Sequence, residues 1–187
     1  MPSQTENDIA LVEECKNGSQ KAFNLIVNKY KDRVFNIAYR FLGNSSDAED
    51  IMQECFISLH NNIKKFRGES ALFTWIYRIA VNLSKNKLKS FSVKKNLRTV
   101  PVNETLKETN ANRDNPHNIL EKNETDKKLQ DAISSLQPDW REVIVLFHIE
   151  ELSYEEIATI AKCDIGTVKS RIHRARKELK EKLKDLI

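Results

Sequence analysis

No apolar run in the chain is long enough to cross a bilayer. The longest, Val-Ile-Val-Leu-Phe at 143–147, falls far short of the ~20 residues a spanning helix needs. The start, MPSQTENDIA, lacks the basic residues and apolar core of a secretory signal. These absences predict a cytoplasmic protein with no membrane insertion. Cysteine is scarce too: Cys15, Cys55 and Cys163 are odd in number, far apart and form no C-x-x-C pair. That argues against a disulfide framework or a zinc knuckle and for small apolar residues in a reducing compartment. Alternation of period two hardly occurs, which argues against sheets. No nucleophile, base and orienting group stand out together, so neither an enzyme nor a cofactor is expected.

What is present is charge, unevenly placed. Lys and Arg number 31 against 27 Asp and Glu, a net +4. Residues 64–98 hold ten Lys or Arg against Glu69 alone, a local +9, and residues 165–187 hold a local +5, leaving the rest at −10. Two basic patches on an acidic remainder point to two contacts with a polyanion and an acidic surface kept for something else.

The periodicity is helical almost throughout. Ile9, Val12 and Cys15 mark a short helix closed by Asn17-Gly18, and Phe23, Ile26, Val27, Tyr30, Val34, Ile37, Ala38 and Phe41 mark a long one ending at Gly43. Ser46 and Glu49 have the spacing of a capping box opening a third helix, with Met52, Cys55, Phe56, Leu59 and Ile63 on its inner face. Leu72, Ile76, Ile79 and Leu83 share one face of a fourth. From about Ser90 to Asn118 the pattern collapses into a polar stretch, read as a flexible linker. Order resumes at Leu129, pauses at Pro138 and restarts at Trp140. The fold class is therefore all-α: two small helical domains, 1–92 and 123–187, joined by a linker over 93–122.

Three stretches carry chemistry. In residues 153–183, Ser153 and Glu156 form a second capping box for a short helix, and Cys163–Gly166 is only long enough for a turn. The following helix buries Val168, Ile172, Ala175, Leu179 and Leu183 and offers Lys169, Ser170, Arg171, His173, Arg174, Arg176 and Lys177 opposite. This is the helix-turn-helix pattern, whose second helix enters the major groove. Asp47, Asp50 and Glu54 lie at i, i+3 and i+7 on the third helix, with Glu49 and Gln53 beside them. Plain surface, a protein-binding face or a metal cluster all fit; a metal would want a second acidic pair on a facing helix, and none is visible in the first 90 residues. Finally, FRGESALFTWIYRIAVN at 66–82 sets Phe66, Phe73, Trp75 and Tyr77 among Arg67, Arg78 and Asn82, in a chain only 7% aromatic. Arg78, Asn82, Lys85 and Lys89 recur along the fourth helix away from its apolar stripe. Rings in a basic groove can stack on bases, or they can simply be core.

DAEDIMQECFISLH, FRGESALFTWIYRIAVN and LSYEEIATIAKCDIGTVKSRIHRAR, in this order, closely resemble bacterial RNA polymerase sigma factors of the extracytoplasmic-function class. The resemblance implies a promoter-melting helical domain and a C-terminal helix-turn-helix domain. Core RNA polymerase would dock on Asp47, Glu49, Asp50, Gln53 and Glu54. Minus-ten DNA, duplex and then single-stranded, would meet Phe66, Arg67, Gly68, Glu69, Ser70, Trp75, Tyr77, Arg78, Asn82 and Lys85. The minus-thirty-five element would meet Thr167, Lys169, Ser170, Arg171, His173, Arg174 and Arg176. An anti-sigma factor is a further implied partner, and the absence of an acidic N-terminal extension and of the third region of primary sigma factors is typical of this class. The alternative is a stand-alone helix-turn-helix repressor or activator.

Overall fold

The computed structural model describes residues 4–97 and 116–184, with side chains from 7–93 and 124–184. The elements run α1 (Gln4–Lys16), α2 (Gln20–Leu42), α3 (Ser45–Asn62), a 3-10 turn (Ile63–Lys65), α4 (Leu72–Leu97), α5 (Pro116–Ser135), α6 (Pro138–His148), α7 (Tyr154–Ala161) and α8 (Ile165–Lys182). The described residues contain no strand.

Local chemistry sets most of the boundaries. The Ser19 hydroxyl accepts from the Ala22 N–H at 3.2 Å to open α2. Gly43 closes it in the left-handed region at φ 71°, its N–H reaching the Tyr39 carbonyl at 2.7 Å. Between them Ala22, Ile26, Tyr30, Val34, Ile37, Ala38 and Phe41 form one buried stripe. The Ser46–Glu49 box is not the start of α3. Asn44, extended just after Gly43, takes the Asp47 N–H at 3.0 Å, so the helix begins at Ser45. The box at Ser153 and Glu156 is as expected: the Glu156 N–H donates to the Ser153 hydroxyl at 3.2 Å and the Ser153 N–H to the Glu156 carboxylate at 2.8 Å.

Two features depart from the expected apolar faces. On α1, Ile9 is 57% exposed and Asp8 is buried instead. Asp8 accepts from the Tyr30 hydroxyl at 2.6 Å and from Lys29 at 2.5 Å, which makes an inward carboxylate tolerable. On α4, Leu72 and Ile76 are buried but Ile79 and Leu83 only half-buried, while Tyr77, Ala80, Val81 and Ser84 are buried as well. A second layer covers that side: α7 packs on α4, and α5 and α6 pack on α2. One apolar core therefore runs from α1–α4 through into α6–α8. The expected linker also shrinks, because α4 continues to Leu97 and α5 starts at Pro116, a residue suited to a first helical turn. The remaining stretch, 98–115, lies outside the described residues.

Candidate nucleic-acid interface

The acidic face of α3 is open. Glu49, Asp50, Gln53 and Glu54 are exposed and Asp47 is half-buried. Ile57, one turn beyond Gln53, is 62% exposed and adds an apolar spot to the same side. Lys87 of α4 reaches Asp47 at 3.0 Å and Asp50 at 3.8 Å. Its hydrogen bond to Asp47 raises the Lys87 pKa despite some burial. Among the described residues no three His, Cys, Asp or Glu side chains are grouped as a metal ion would require. Cys15 and Cys55 are buried, Cys163 is half-buried, and all three are free thiols. Burial pushes the Cys55 thiol up to about 12, which makes it an inert core residue.

The loop before α4 divides into a ring that faces inward and a tip that faces out. Phe66, expected at the DNA surface, is only 9% exposed and packs on half-buried Trp75 with centroids 5.2 Å apart. Arg67, Gly68 and Glu69 are exposed and Ser70 partly so. Gly68 sits at φ 73° with open space where a Cβ would go, so the glycine answers to the backbone and not to crowding. Behind the tip, α4 presents Arg78, half-buried, and Asn82, exposed.

Two further expected contacts on α4 face inward. Tyr77 has 0% exposure; its ring packs on Phe73 at 5.8 Å and edge-on to Tyr30 at 6.5 Å. Arg33 donates to the Tyr77 hydroxyl at 3.4 Å, and Glu150, between α6 and α7, pairs with Arg33 at 4.0 Å. Burial raises the Tyr77 pKa well above that of an ordinary phenol, Arg33 offsetting only part of it. The expectation of an outward Tyr77 fails because groups outside α4, namely Tyr30 and Arg33 of α2 and Glu150 after α6, close over its ring and hydroxyl. Lys85 is drawn into ion pairs with Asp139 at 2.8 Å and Glu142 at 2.6 Å.

In the C-terminal half, α7 ends at Lys162, itself left-handed at φ 52°, and Asp164 opens α8. The Asp164 carboxylate accepts from the Thr167 N–H and hydroxyl, both at 2.8 Å, which holds its pKa below the usual range. Val168, Ile172 and Ala175 fix α8 to the core, leaving Lys169, Ser170, His173, Arg174 and Arg176 exposed. Thr167 spends its hydroxyl on the cap. Arg171 turns inward to Asp139 at 3.1 Å. Phe147 and Tyr154 stack, 5.1 Å apart and 7° from parallel; Lys169 lies 5.6 Å over Tyr154 and Arg176 5.3 Å over Phe147. Arg176 also donates to His148 at 3.1 Å, and His148 titrates below an ordinary histidine, through burial first and Arg176 second.

Sequence reasoning missed Arg33, Asp139, Arg141, Glu142 and Glu150, the charged groups between the halves. Arg141 is buried, its guanidinium donating to the carbonyls of Phe41, Ser134 and Leu136 and so closing the ends of α2 and α5. The apolar run 143–147 held the available signal. A helix apolar on every side is one covered on more than one side, and its charged neighbours at 141 and 142 go in with it.

Residues 26–92 match the family Sigma-70 region 2, and residues 126–179 match Sigma-70, region 4. The chain is 39% identical to the ECF RNA polymerase sigma-E factor of Haemophilus influenzae, across 96% of this chain and 97% of that protein. It is 39% identical to the protein of the same name from Escherichia coli, across 99% and 98%. In fold it is similar to CnrH, solved with the cytosolic domain of CnrY, at a TM-score of 0.71 and 22% identity over 96% of this chain and 99% of that one. It is also similar in fold to the sigma factor RpoE of Bartonella quintana, solved with the anti-sigma factor NepR, at 0.70 and 24% over 88% and 98%.

Proposed function

Because the chain belongs to the extracytoplasmic-function sigma factors of bacterial RNA polymerase, we propose that it binds the core polymerase through the acidic face of α3, holds minus-ten DNA on the 66–71 loop and α4, and reads minus-thirty-five DNA with α8. The observation that carries this assignment is the presence of three exposed surfaces of different chemistry in one chain: Glu49, Asp50, Gln53 and Glu54; the Arg67–Ser70 tip with Arg78 and Asn82; and the cationic face of α8. A duplex-binding repressor has no use for the first two.

Each surface suits its role physically. Carboxylates beside exposed Ile57 offer a partner protein charge at the rim and an apolar anchor. Extruding a base costs a few kcal/mol, which a pocket must return through stacking and edge hydrogen bonds. Asn82 and Arg78 supply the polar groups, while Phe66 and Trp75 brace the tip from beneath. On α8, Ser170, His173 and Arg174 are exposed and suited to base edges, and exposed Lys169 and Arg176 are suited to phosphates. The proposed units are 1–92 for core and minus-ten binding and 123–187 for minus-thirty-five binding, with 93–122 between them. The chain does no chemistry, works in the cytoplasm and is held in check by an anti-sigma factor. Among the described residues no helix is long and apolar enough to cross a membrane.

The direct test of docking is co-purification with core polymerase. The parent chain is expected to form a stable complex that Asp50→Lys weakens at least tenfold while Lys169→Ala leaves it intact. Tight duplex binding without polymerase, and no complex with it, would favour the stand-alone regulator.

A further inference from the structure

We propose that Phe147 and Tyr154 are positioning residues for minus-thirty-five binding: their stacked rings hold Lys169 and Arg176 out on the flank of α8, ready for backbone phosphates. This rests on the assignment of α8 to that element and names residues outside α8 on which its affinity depends.

The two rings come from different helices. Phe147 lies in the last turn of α6, and Tyr154 is the first residue of α7. The Ser153–Glu156 box sets the direction in which α7 starts, and buried Leu146 and Ile157 anchor the two helix ends in the core. The rings themselves are only half-buried, parallel to within 7° and 5.1 Å apart, so they form a stiff shelf at the edge of that core. An aliphatic pair would seal the same edge, but only an aromatic face attracts a cation. Lys169 lies 5.6 Å over Tyr154 and Arg176 5.3 Å over Phe147, two turns apart on one side of α8. Arg176 is fixed a second time, its Nε–H donating to His148 at 3.1 Å.

A ring differs from a carboxylate as a partner, because it confines the cation without neutralising it. Arg171 of the same helix shows the contrast, its charge being matched by Asp139. Among the described residues neither Lys169 nor Arg176 meets a carboxylate, and both remain exposed. The bond to His148 uses one N–H of Arg176 and leaves those on its terminal nitrogens for an anion. A free lysine or arginine gives up much rotamer freedom when it settles on a phosphate, and one already confined by a ring gives up less. The rings thus raise affinity for DNA without touching it.

The test uses holoenzyme made from core polymerase and the full chain. Fluorescence anisotropy gives its affinity for a labelled duplex carrying the minus-thirty-five element of a promoter mapped by runoff transcription, at one fixed salt concentration. Tyr154→Leu and Phe147→Leu keep an apolar side chain at the core edge. Both are expected to retain helical circular dichroism and polymerase binding and to weaken duplex binding about three- to tenfold. Tyr154→Phe, which keeps the ring face, should stay within about twofold of the parent chain. The double variants are decisive: Tyr154→Leu should cost nothing further in Lys169→Ala, nor Phe147→Leu in Arg176→Ala, because each ring acts through its cation. If a leucine variant loses its helical signal, fluorinated phenylalanine at position 147 decides, since it drains the negative ring face at nearly constant shape. Binding should then weaken with each added fluorine, and the absence of that trend would overturn the proposal. A loss on Tyr154→Leu that persists in Lys169→Ala would overturn it too, the ring then touching DNA itself or merely supporting α8. So would a loss on Tyr154→Phe as large as on Tyr154→Leu, or tighter binding by the leucine variants. If Lys169→Ala and Arg176→Ala weaken binding while the leucine variants do not, only the positioning role falls; if neither alanine variant matters, the minus-thirty-five assignment of α8 falls with it.

Discussion

Phe66 and Arg67 are adjacent in sequence and opposite in consequence. Phe66 fills the core edge against Trp75, and truncating it to Ala should cost about 3 kcal/mol in urea denaturation. Arg67 is solvated, its pairing with Glu69 at 3.8 Å between two exposed side chains. Arg67→Ala should therefore leave stability within about 0.5 kcal/mol while slowing promoter opening, measured as the rate of abortive initiation. Asp139 gives a prediction in pH. The Lys85 hydrogen bond depresses its pKa below the ordinary 3.8, outweighing its burial. Its stabilising effect is thus fully present above that value and is lost as pH falls through the lower, folded-state pKa. Glu142 and Glu150 shift the other way, both raised chiefly by burial, so acid does not withdraw stability through them. Wild type and Asp139→Asn, compared by urea denaturation, should differ at pH 6 and converge once pH falls through the lowered folded-state pKa. A constant difference would mean the pairing matters through shape and not charge.

At the level of elements, most of what a helix decides by itself could be read in advance, the start of α3 at Asn44 being an exception. The stripe of α2 with its Gly43 stop, the Ser153–Glu156 box and the buried line of α8 all follow from residues within one or two turns of each other. Ser153→Ala should accordingly cost about 1 kcal/mol, visible as a lower thermal midpoint, and weaken minus-thirty-five binding by loosening the helix that supports α8. What could not be read depends on a neighbour. Tyr77 meets Tyr30 and Arg33 of α2 and Glu150, some seventy residues downstream, and Lys85, Arg171, Asp139 and Glu142 are polar residues whose partners belong to other helices. The open tip at Arg67–Ser70, the acids of α3 and most of the cations on α8 were legible because they are solvated and need no partner. The first half of α5 was hidden for a different reason: its residues are polar, and helices of that composition leave no apolar period to count.

For the whole molecule, the packing of the two halves sets a limit on the proposed promoter contact. With the halves packed, α1–α8 share one core and α4 and α8 are joined through Asp139. On the proposed reading, α4 and α8 would meet elements centred about 25 base pairs apart, roughly 85 Å of duplex at 3.4 Å per pair, so a chain with the two helices joined through Asp139 would not contact both. Promoter-directed initiation is the central claim, and runoff transcription tests it most directly. Core polymerase with the pure chain, on fragments of the source genome, should give discrete transcripts whose mapped start sites share a minus-ten and a minus-thirty-five sequence. Asn82→Ala should abolish them without loss of polymerase binding. Runoff products no different from those of core polymerase alone would contradict the account.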